Sequence, residues 1–225
     1  MVSTRLFFGF AFLGVLLWSA SGRETRLLGY WNFDEIIGGV VEDKSGQNHH
    51  GRIHGEISLE KGIRGSGLRF SSDEDYVDFG APVIPPGDFT VSVWIKCDDV
   101  EKQFFLGQYR YKDPNRLDLV IREGRVLIQI AEKLSSEVLI KKDRWYHLVY
   151  ARKGKVMSIF VDGVLVKKGK LPMAVMQDAP LIAGRIEVPG RDTFRFTGVM
   201  DELRIYDAAL NVEQVKALCA ARRID

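Results

Sequence analysis

The chain has 225 residues, of which 46% are hydrophobic and 11% aromatic, and its 32 Lys and Arg residues nearly balance 30 Asp and Glu residues. This length fits one or two domains, and the apolar content excludes a largely disordered chain. Because binding to duplex nucleic acid depends on clustered excess positive charge, the charge balance argues against nucleic acid as a partner.

The first 22 residues are typical of an export signal. Arg5 is their only charged residue, Leu6–Trp18 is wholly apolar or Gly, and the small residues Ser19–Gly22 follow. An uncleaved membrane anchor is the alternative, but the apolar stretch is shorter than the roughly 20 residues that a spanning helix needs. We therefore predict a signal peptide at 1–22, a single mature domain at 23–225 with no membrane span, and a secreted, cell-surface or periplasmic location.

Export makes the two cysteines a candidate disulfide. Cys97 ends a strand-like run and Cys219 lies near the C-terminus, more than a hundred residues away. A bridge between them would close a long loop and stabilise the fold by several kcal/mol. In the alternative, both are unpaired and simply occupy semi-buried apolar positions. The sequence leaves both readings open.

Alternating apolar residues predict strands along most of the mature chain. The run from Phe89 to Ile95 places every second residue on one apolar face, which is the period of a half-buried strand. Three pairs of similar runs are separated by short turns at Gly124, Gly154 and Asp162-Gly163, and the last of these is the strongest hairpin signal. Three hairpins so close together predict an antiparallel meander.

Only one segment after the signal is typical of a helix. Asn211 can cap it, Gln214 follows three residues later as in a capping box, and Val212, Val215 and Leu218 repeat at helical spacing. Many short strands without alternating helices predict an all-β fold, namely a two-sheet antiparallel sandwich with a short C-terminal helix.

Nine short motifs follow one another in a fixed order between residues 27 and 220. They are Leu28–Glu35, Asp43–Gly46 with His50-Gly51, Gly67–Phe70, Asp75–Asp78, Phe89–Trp94, Trp145–Leu148, Phe160–Gly163, Gly198–Tyr206 and Ala209-Leu210. This series resembles LamG-like jellyroll domains of the concanavalin A-like lectin/glucanase superfamily. The resemblance implies a jelly roll of two curved antiparallel sheets with the first and last strands adjacent. We expect most of the motif aromatics to be core residues: Trp31, Phe33, Trp94, Trp145 and Tyr206.

No residue pattern in the chain predicts an enzyme. A glycoside hydrolase on this fold needs two facing carboxylates, usually from alternate positions of one strand, and no strand has that pattern. The spacing of His49, His50 and His54 matches no usual zinc pattern. We therefore predict a protein without catalytic residues.

Calcium is the metal that the resemblance implies, as a structural ion at the rim of the sandwich. The resemblance places its ligands on the loop after the first strand and on the last strand. The corresponding residues here are Asp34, Asp43 and Asp201, with backbone carbonyls from 45–50. One departure is His49, which stands where these domains commonly have an amide. The alternative for Asp43 is a turn cap.

Our first functional hypothesis is a carbohydrate-binding module for a polysaccharide or a glycoprotein glycan. Sugar sites combine aromatic platforms with a few polar groups. The candidates are two predicted loops, with residues Tyr109, Arg110, Tyr111, Asn115 and Arg191. The alternative for the tyrosines is an ordinary solvated hairpin.

The second hypothesis is an extracellular protein–protein adhesion module of laminin-G type, with extracellular proteins as partners. An exposed apolar patch of several hundred Å² rather than a polar groove would distinguish it. The sequence favours the first hypothesis slightly.

Overall fold

The computed structural model describes residues 24–110, 113, 115–171, 175, 177–186 and 194–221. Most of them form short strands. In chain order the strands are β1 (Leu27–Trp31), β2 (Val40–Val41), β3 (Gly51–His54), β4 (Ser58–Lys61), β5 (Ser66–Phe70), β6 (Tyr76–Asp78), β7 (Phe89–Cys97), β8 (Lys102–Gln108), β9 (Leu117–Arg122), β10 (Arg125–Ile130), β11 (Glu132–Leu139), β12 (Trp145–Lys153), β13 (Val156–Val161), β14 (Val164–Lys170), β15 (Leu181–Ala183), β16 (Arg185–Ile186), β17 (Phe194–Arg195) and β18 (Gly198–Tyr206). One helix, α1 (Val212–Ala220), follows.

The strands form two large antiparallel sheets. The first sheet has the order β14-β13-β12-β7-β18-β5-β4, and β1 pairs with β18 at its centre. The second sheet has the order β11-β10-β9-β8-β15-β6-β3-β2, and β16 and β17 form a separate hairpin. The predicted sandwich is confirmed, including the adjacent first and last strands and the meander of β12, β13 and β14.

The main core lies between the two sheets. On β7 the alternate residues Phe89, Val91, Val93 and Ile95 are fully buried in it, as their spacing predicts. Burying one such side chain contributes about 1.5–3 kcal/mol, so a strand that presents four of them has a strongly fixed register. Each sheet also has an outer face, which is the face that points away from this core.

The outer face of the first sheet carries a second, smaller apolar cluster beneath α1. Val149, Phe160 and Tyr206 from the sheet pack with Leu210 and the helical Val215. The helix begins with a complete capping box, because the Asn211 side chain accepts from the backbone of Gln214 while the Gln214 side chain accepts from the backbone of Asn211. The predicted terminal helix is therefore confirmed.

The five aromatic residues expected in the core differ in their surroundings. Trp31 and Phe33 lie in the main core. Trp94 is also buried, but on the outer face of the first sheet, where it stacks on His147 with ring centroids 4.9 Å apart. Tyr206 belongs to the cluster under the helix. Trp145 departs from the expectation, because it is only half-buried.

Of the two possibilities left open by the sequence, the structure has the one without a bridge, because Cys97 and Cys219 do not form a disulfide. Cys97 points into the main core between the sheets, and burial raises the pKa of its thiol. Cys219 lies on α1 beside Gly163, on the outer side of the first sheet. The sheet itself separates the two sulfur atoms, which is information that the spacing in the sequence does not contain.

Candidate functional site: the outer face of the second sheet

The middle of the second sheet places a carboxylate on its outer face. On β9, Leu117 and Leu119 point into the main core, so Asp118 between them faces outward. Its neighbours across the ladder are Gly107 on β8 and Gln129 on β10. Asp118 is nevertheless only 4% exposed. A deeply buried carboxylate on an outer face is unusual, so this part of the sheet is a candidate binding site.

An aromatic pair borders Asp118 on the side of β8. A bulge between Phe104 and Leu106 turns Phe104 to the outer face, and its ring lies over Gly107. A Cβ atom at position 107 would come within 2.4 Å of the Phe104 ring, so only glycine fits there without displacing it. Tyr109 packs edge-on against Phe104 with ring centroids 5.9 Å apart.

Asp118 and Asn115 each carry a buried oxygen with no donor in the described part of the chain. Asp118 Oδ2 pairs with Arg116 Nε at 2.9 Å, but its Oδ1 has no hydrogen-bond partner. Asn115 Oδ1 is unpartnered as well, although the Asn115 backbone donates to Asp113. Burial raises the pKa of Asp118 to about 6, against the lowering effect of Arg116. Buried polar atoms normally find partners, so two unsatisfied acceptors so close in the chain indicate an external donor.

The loop between β8 and β9 holds most of the predicted ligand-binding residues. Tyr109 and Asn115 both precede the Arg116–Asp118 pair in sequence, and Tyr109 contacts the outer face through Phe104. Arg110 instead reaches Asp178, with its Nη1 2.8 Å from a carboxylate oxygen. Tyr111 and Arg191 lie outside the described residues.

The sequence pattern alone does not single out Arg116 and Asp118. The available signal is a single charged residue between two leucines at the start of an apolar strand, which is weak on its own.

A second group of side chains covers the outer face beyond β15. His54 and Tyr76, paired across β3 and β6, stack with their rings 4.2 Å apart and nearly parallel. The guanidinium of Arg185 lies 4.0 Å from the centre of the Tyr76 ring. Because His54 and Arg185 are each within about 4 Å of this ring, they must lie on its opposite faces. Tyr76 therefore has both faces covered and offers no free platform for a sugar.

Two of the predicted calcium ligands meet at one turn. Asp34 Oδ1 accepts a hydrogen bond from the backbone of Ser66 at 3.0 Å. Asp201 Oδ2 accepts from the backbones of Ile63 and Arg64 at 2.9 and 3.1 Å. The loop after β1 and the last strand β18 thus both contact residues 62–66, a turn that lies outside the predicted ligand set.

The chemistry around Asp201 fits a cation. The side chain is fully buried, no cationic side chain of the described part pairs with it, and burial raises its pKa to about 8, with Glu202 adding to the effect. Calcium takes carboxylate oxygens together with backbone carbonyls, which a turn supplies. Within the described ranges, however, no group of three or more His, Cys, Asp or Glu side chains is placed to hold a metal ion.

Asp43 makes its contacts at a different turn. Its carboxylate accepts hydrogen bonds from the backbones of Tyr30, Ser45 and His49 and from the Ser45 hydroxyl, at 2.8 to 3.0 Å. Although burial raises its pKa, these hydrogen bonds hold the pKa below its usual value. Asp43 therefore ties the 43–49 turn to β1, which is the turn-cap role that its sequence allows as an alternative to calcium binding.

Comparison with known sequences identifies a family. Residues 71–216 match the sequence model of the concanavalin A-like lectin/glucanases superfamily. No curated protein matches the chain in sequence. No helix in the described part of the chain is long and apolar enough to cross a membrane.

Several solved structures with the same fold are single domains of larger proteins. Domain 4 of AbnA, a GH43 extracellular arabinanase from Geobacillus stearothermophilus in complex with arabinotriose, aligns with a TM-score of 0.71 and 22% identity over 88% of this chain and 100% of that one. The binding domain of Paraclostridial Mosquitocidal Protein 1 aligns with a TM-score of 0.68 and 14% identity, and that of botulinum neurotoxin serotype D with 0.67 and 15%. Each of these two alignments covers 87% of this chain and 52% of the other, so this chain spans about half of their length.

Proposed function

The chain belongs to the concanavalin A-like lectin/glucanases superfamily, and from this premise we propose that it is a secreted, non-catalytic module that binds carbohydrate on the outer face of its second sheet. The observation that carries the proposal is the pair of buried, unpartnered acceptors Asp118 Oδ1 and Asn115 Oδ1. Sugar hydroxyls are donors of the kind that these oxygens lack. Arg116 and Gln129 supply donors for ring and hydroxyl oxygens, and Tyr109 supplies an aromatic edge.

The surroundings of Asp118 suit binding rather than catalysis. Glycoside hydrolysis uses two carboxyl groups on either side of the scissile bond, about 5 to 10 Å apart. The cross-strand neighbours of Asp118 are Gly107 and Gln129, and its charged partner is Arg116. This arrangement suits recognition of a sugar and gives Asp118 no second carboxyl group among these neighbours to act with.

Retention on immobilised polysaccharides tests the proposal. The panel includes arabinan and other neutral polysaccharides, with free arabinotriose as competitor, because arabinotriose is the ligand of the similar AbnA domain. We expect retention on at least one neutral polymer and a loss of about 10- to 100-fold in affinity for Asp118→Asn, since a hydrogen bond to a charged group contributes about 1.5–3 kcal/mol.

Glu101→Gln is the matched control, because it removes one exposed carboxylate next to the opposite end of β8. It should leave retention unchanged. No retention of the wild-type protein on any polymer would refute the carbohydrate proposal.

Calcium binding at Asp34 and Asp201 is a companion proposal. The ion would neutralise the buried Asp201 carboxylate and fix the 62–66 turn against β18. A ligand that binds only the native state increases the free energy of unfolding by RT ln(1 + [L]/Kd). The Tm should therefore be higher with calcium than with a chelator, and Asp201→Asn should abolish this difference in Tm. Equal Tm values with calcium and with a chelator would refute calcium binding at this site.

Protein adhesion is the second candidate function. The observation in its favour is the exposed apolar pair Val164 and Leu165, which are 62% and 43% exposed at the β13–β14 turn. The binding domains of toxins with the same fold are consistent with it. Cross-linking on source cells distinguishes the two functions, because adhesion requires a recovered protein neighbour and sugar binding does not.

Export is part of the proposal and has its own test. If residues 1–22 are a signal peptide, mass spectrometry of the protein from its source should find the mature N-terminus at Arg23 or close to it. A protein that retains Met1 would overturn the secreted location.

A further inference from the structure

A large groove lies on the opposite side of the sandwich from the proposed sugar site. It runs between α1 and the outer face of the first sheet and has a volume of about 750 Å³, within the usual range of ligand sites. Ala151, Phe160, Leu165 and Leu210 form an apolar floor, and the Ser158 hydroxyl, which has no partner among the described residues, is also part of the lining.

Two lysines, Lys153 and Lys168, line this groove, and two more lie beside them. The strand register places Lys168 opposite Ser158, and it places Lys153 and Lys170 on either side of Val156. All three lysines therefore project from the same outer face. Strand geometry puts the Cα atoms of Lys168 and Lys170 about 7 Å apart, and those of Lys153 and Lys170 about 10 Å apart. Lys155, in the turn between β12 and β13, adds a fourth exposed charge.

These lysines have no acidic partner in the part of the chain that the structure describes. The two carboxylates in the groove are already engaged. Asp207 accepts the backbone N–H of Arg26 at 2.8 Å and lies 3.5 Å from its guanidinium, and Asp88 accepts the backbone N–H of Gly154 at 2.6 Å. Arg26 offsets the charge of Asp207, and Asp88 offsets one of the four lysines, so the groove and its margin carry an excess of three positive charges on a chain whose net charge is only +2.

Protection of a sheet edge does not account for all of these lysines. Lys168 and Lys170 lie on the edge strand β14, where lysines discourage pairing with other chains. Lys153, however, lies on β12, which is flanked by β13 and β7 on both sides. Its position is explained better by the groove that it lines than by the edge.

We propose that this groove is a second binding site, for an acidic polysaccharide. The apolar floor suits the C–H face of a sugar ring, Ser158 suits a hydroxyl, and the spaced lysines suit acidic groups repeated along a polymer. The lysines are exposed and spread out, and none is buried to hold a single small anion, so several weak contacts along one chain would give the affinity. The site is independent of Asp118, whose carboxylate on the other face disfavours acidic ligands.

The test compares an acidic and a neutral polymer on the mature protein. Affinity is measured for polygalacturonate and for dextran sulfate, with unmodified dextran as the neutral control. We expect binding to at least one acidic polymer, weakening as salt rises, and a loss of about tenfold for the double variant Lys153→Gln/Lys168→Gln. Polygalacturonate and dextran sulfate distinguish carboxylate from sulfate recognition.

The double variant Lys141→Gln/Lys142→Gln is the charge-matched control, because both residues are exposed at the other end of β12. It should bind the acidic polymer like the wild-type protein, and so should Asp118→Asn. Equal losses in the two lysine variants would overturn the site and leave only non-specific attraction. Binding to anionic phosphatidylserine vesicles without binding to either acidic polymer would also overturn it. Neither result bears on the neutral-sugar site.

Discussion

Asp118 is the residue on which the proposed sugar site depends most, and its burial gives it a measurable effect on stability. Its pKa in the folded protein is about 6, against an ordinary value of 3.8. Because the folded pKa is raised, its contribution to stability is fully present below about pH 4 and is lost as the pH rises through 6.

The substitution Asp118→Asn removes this titration. We expect the Tm of the variant, relative to the wild type, to increase as the pH is raised from about 4 to about 7. Thermal unfolding followed by circular dichroism at several pH values measures the difference. A difference that stays constant over this range would mean that Asp118 is not desolvated in the folded protein.

Gly107 is a second residue with a specific role on the outer face. A Cβ atom there would collide with the Phe104 ring and approach the Leu117 carbonyl to 2.9 Å. We expect Gly107→Ala to destabilise the protein by about 1–3 kcal/mol and to weaken sugar binding, because the ring must move. Urea unfolding measures the first effect. Gly87→Ala, where an added Cβ meets no atom within 4 Å, is the control and should change stability much less.

At the residue scale, the sequence indicates the loop in which polar and aromatic groups are concentrated but not the carboxylate beside it. Tyr109 and Asn115 are predicted from that clustering. In the structure Tyr109 packs on Phe104, and Asn115 directly precedes Arg116, which pairs with Asp118. Asp118 itself is not predicted, because a carboxylate in an apolar strand has no sequence signature of its burial. That its Oδ1 has no hydrogen-bond partner in the described part of the chain is a property of the three-dimensional packing alone.

Helix α1 forms one wall of the groove on the first sheet. The capping box fixes the residue at which this helix begins. Asn211→Ala leaves the backbone of Gln214 without its side-chain acceptor. We expect a loss of about 1 kcal/mol in the free energy of unfolding, which urea titration measures. Val212→Ala, at a 39% exposed position of the same turn, serves as a control and should cost less. Equal costs would argue against the capping role.

Element-scale prediction is reliable where the pattern is local. The alternation of β7 and the Asp162-Gly163 turn, with φ values of 50° and 79°, are confirmed. Prediction fails at the bulges. In β8 the consecutive residues Phe104, Phe105 and Leu106 do not alternate, and only the bulge explains why Phe104 alone faces outward.

At the scale of the whole molecule, the sandwich separates the two proposed binding surfaces, and its first sheet separates the two thiols. We expect both cysteines to be alkylated after denaturation without reductant, and only Cys219 to be alkylated readily in the native state. Intact-mass measurement counts the modified thiols. A protein that takes up no label after denaturation would contain a Cys97–Cys219 bridge, contrary to the structure.

The fold as a whole is predictable because nine motifs in order constrain the sheet topology together. The two proposed binding surfaces are not, because each is assembled from distant strands. Lys153 and Lys168 come close only through the register of β12, β13 and β14. The same holds for the proposed calcium site, where the 62–66 turn brings Asp34 and Asp201 together.

The proposed sugar site on the second sheet is tested most sharply by amide chemical-shift mapping of the protein with a neutral oligosaccharide that it binds. We predict that the largest shifts fall on Gly107, Asp118 and Gln129, and that they disappear in Asp118→Asn. Largest shifts along α1 and β14, or no shift with any oligosaccharide of the panel, would contradict a carbohydrate site on the second sheet.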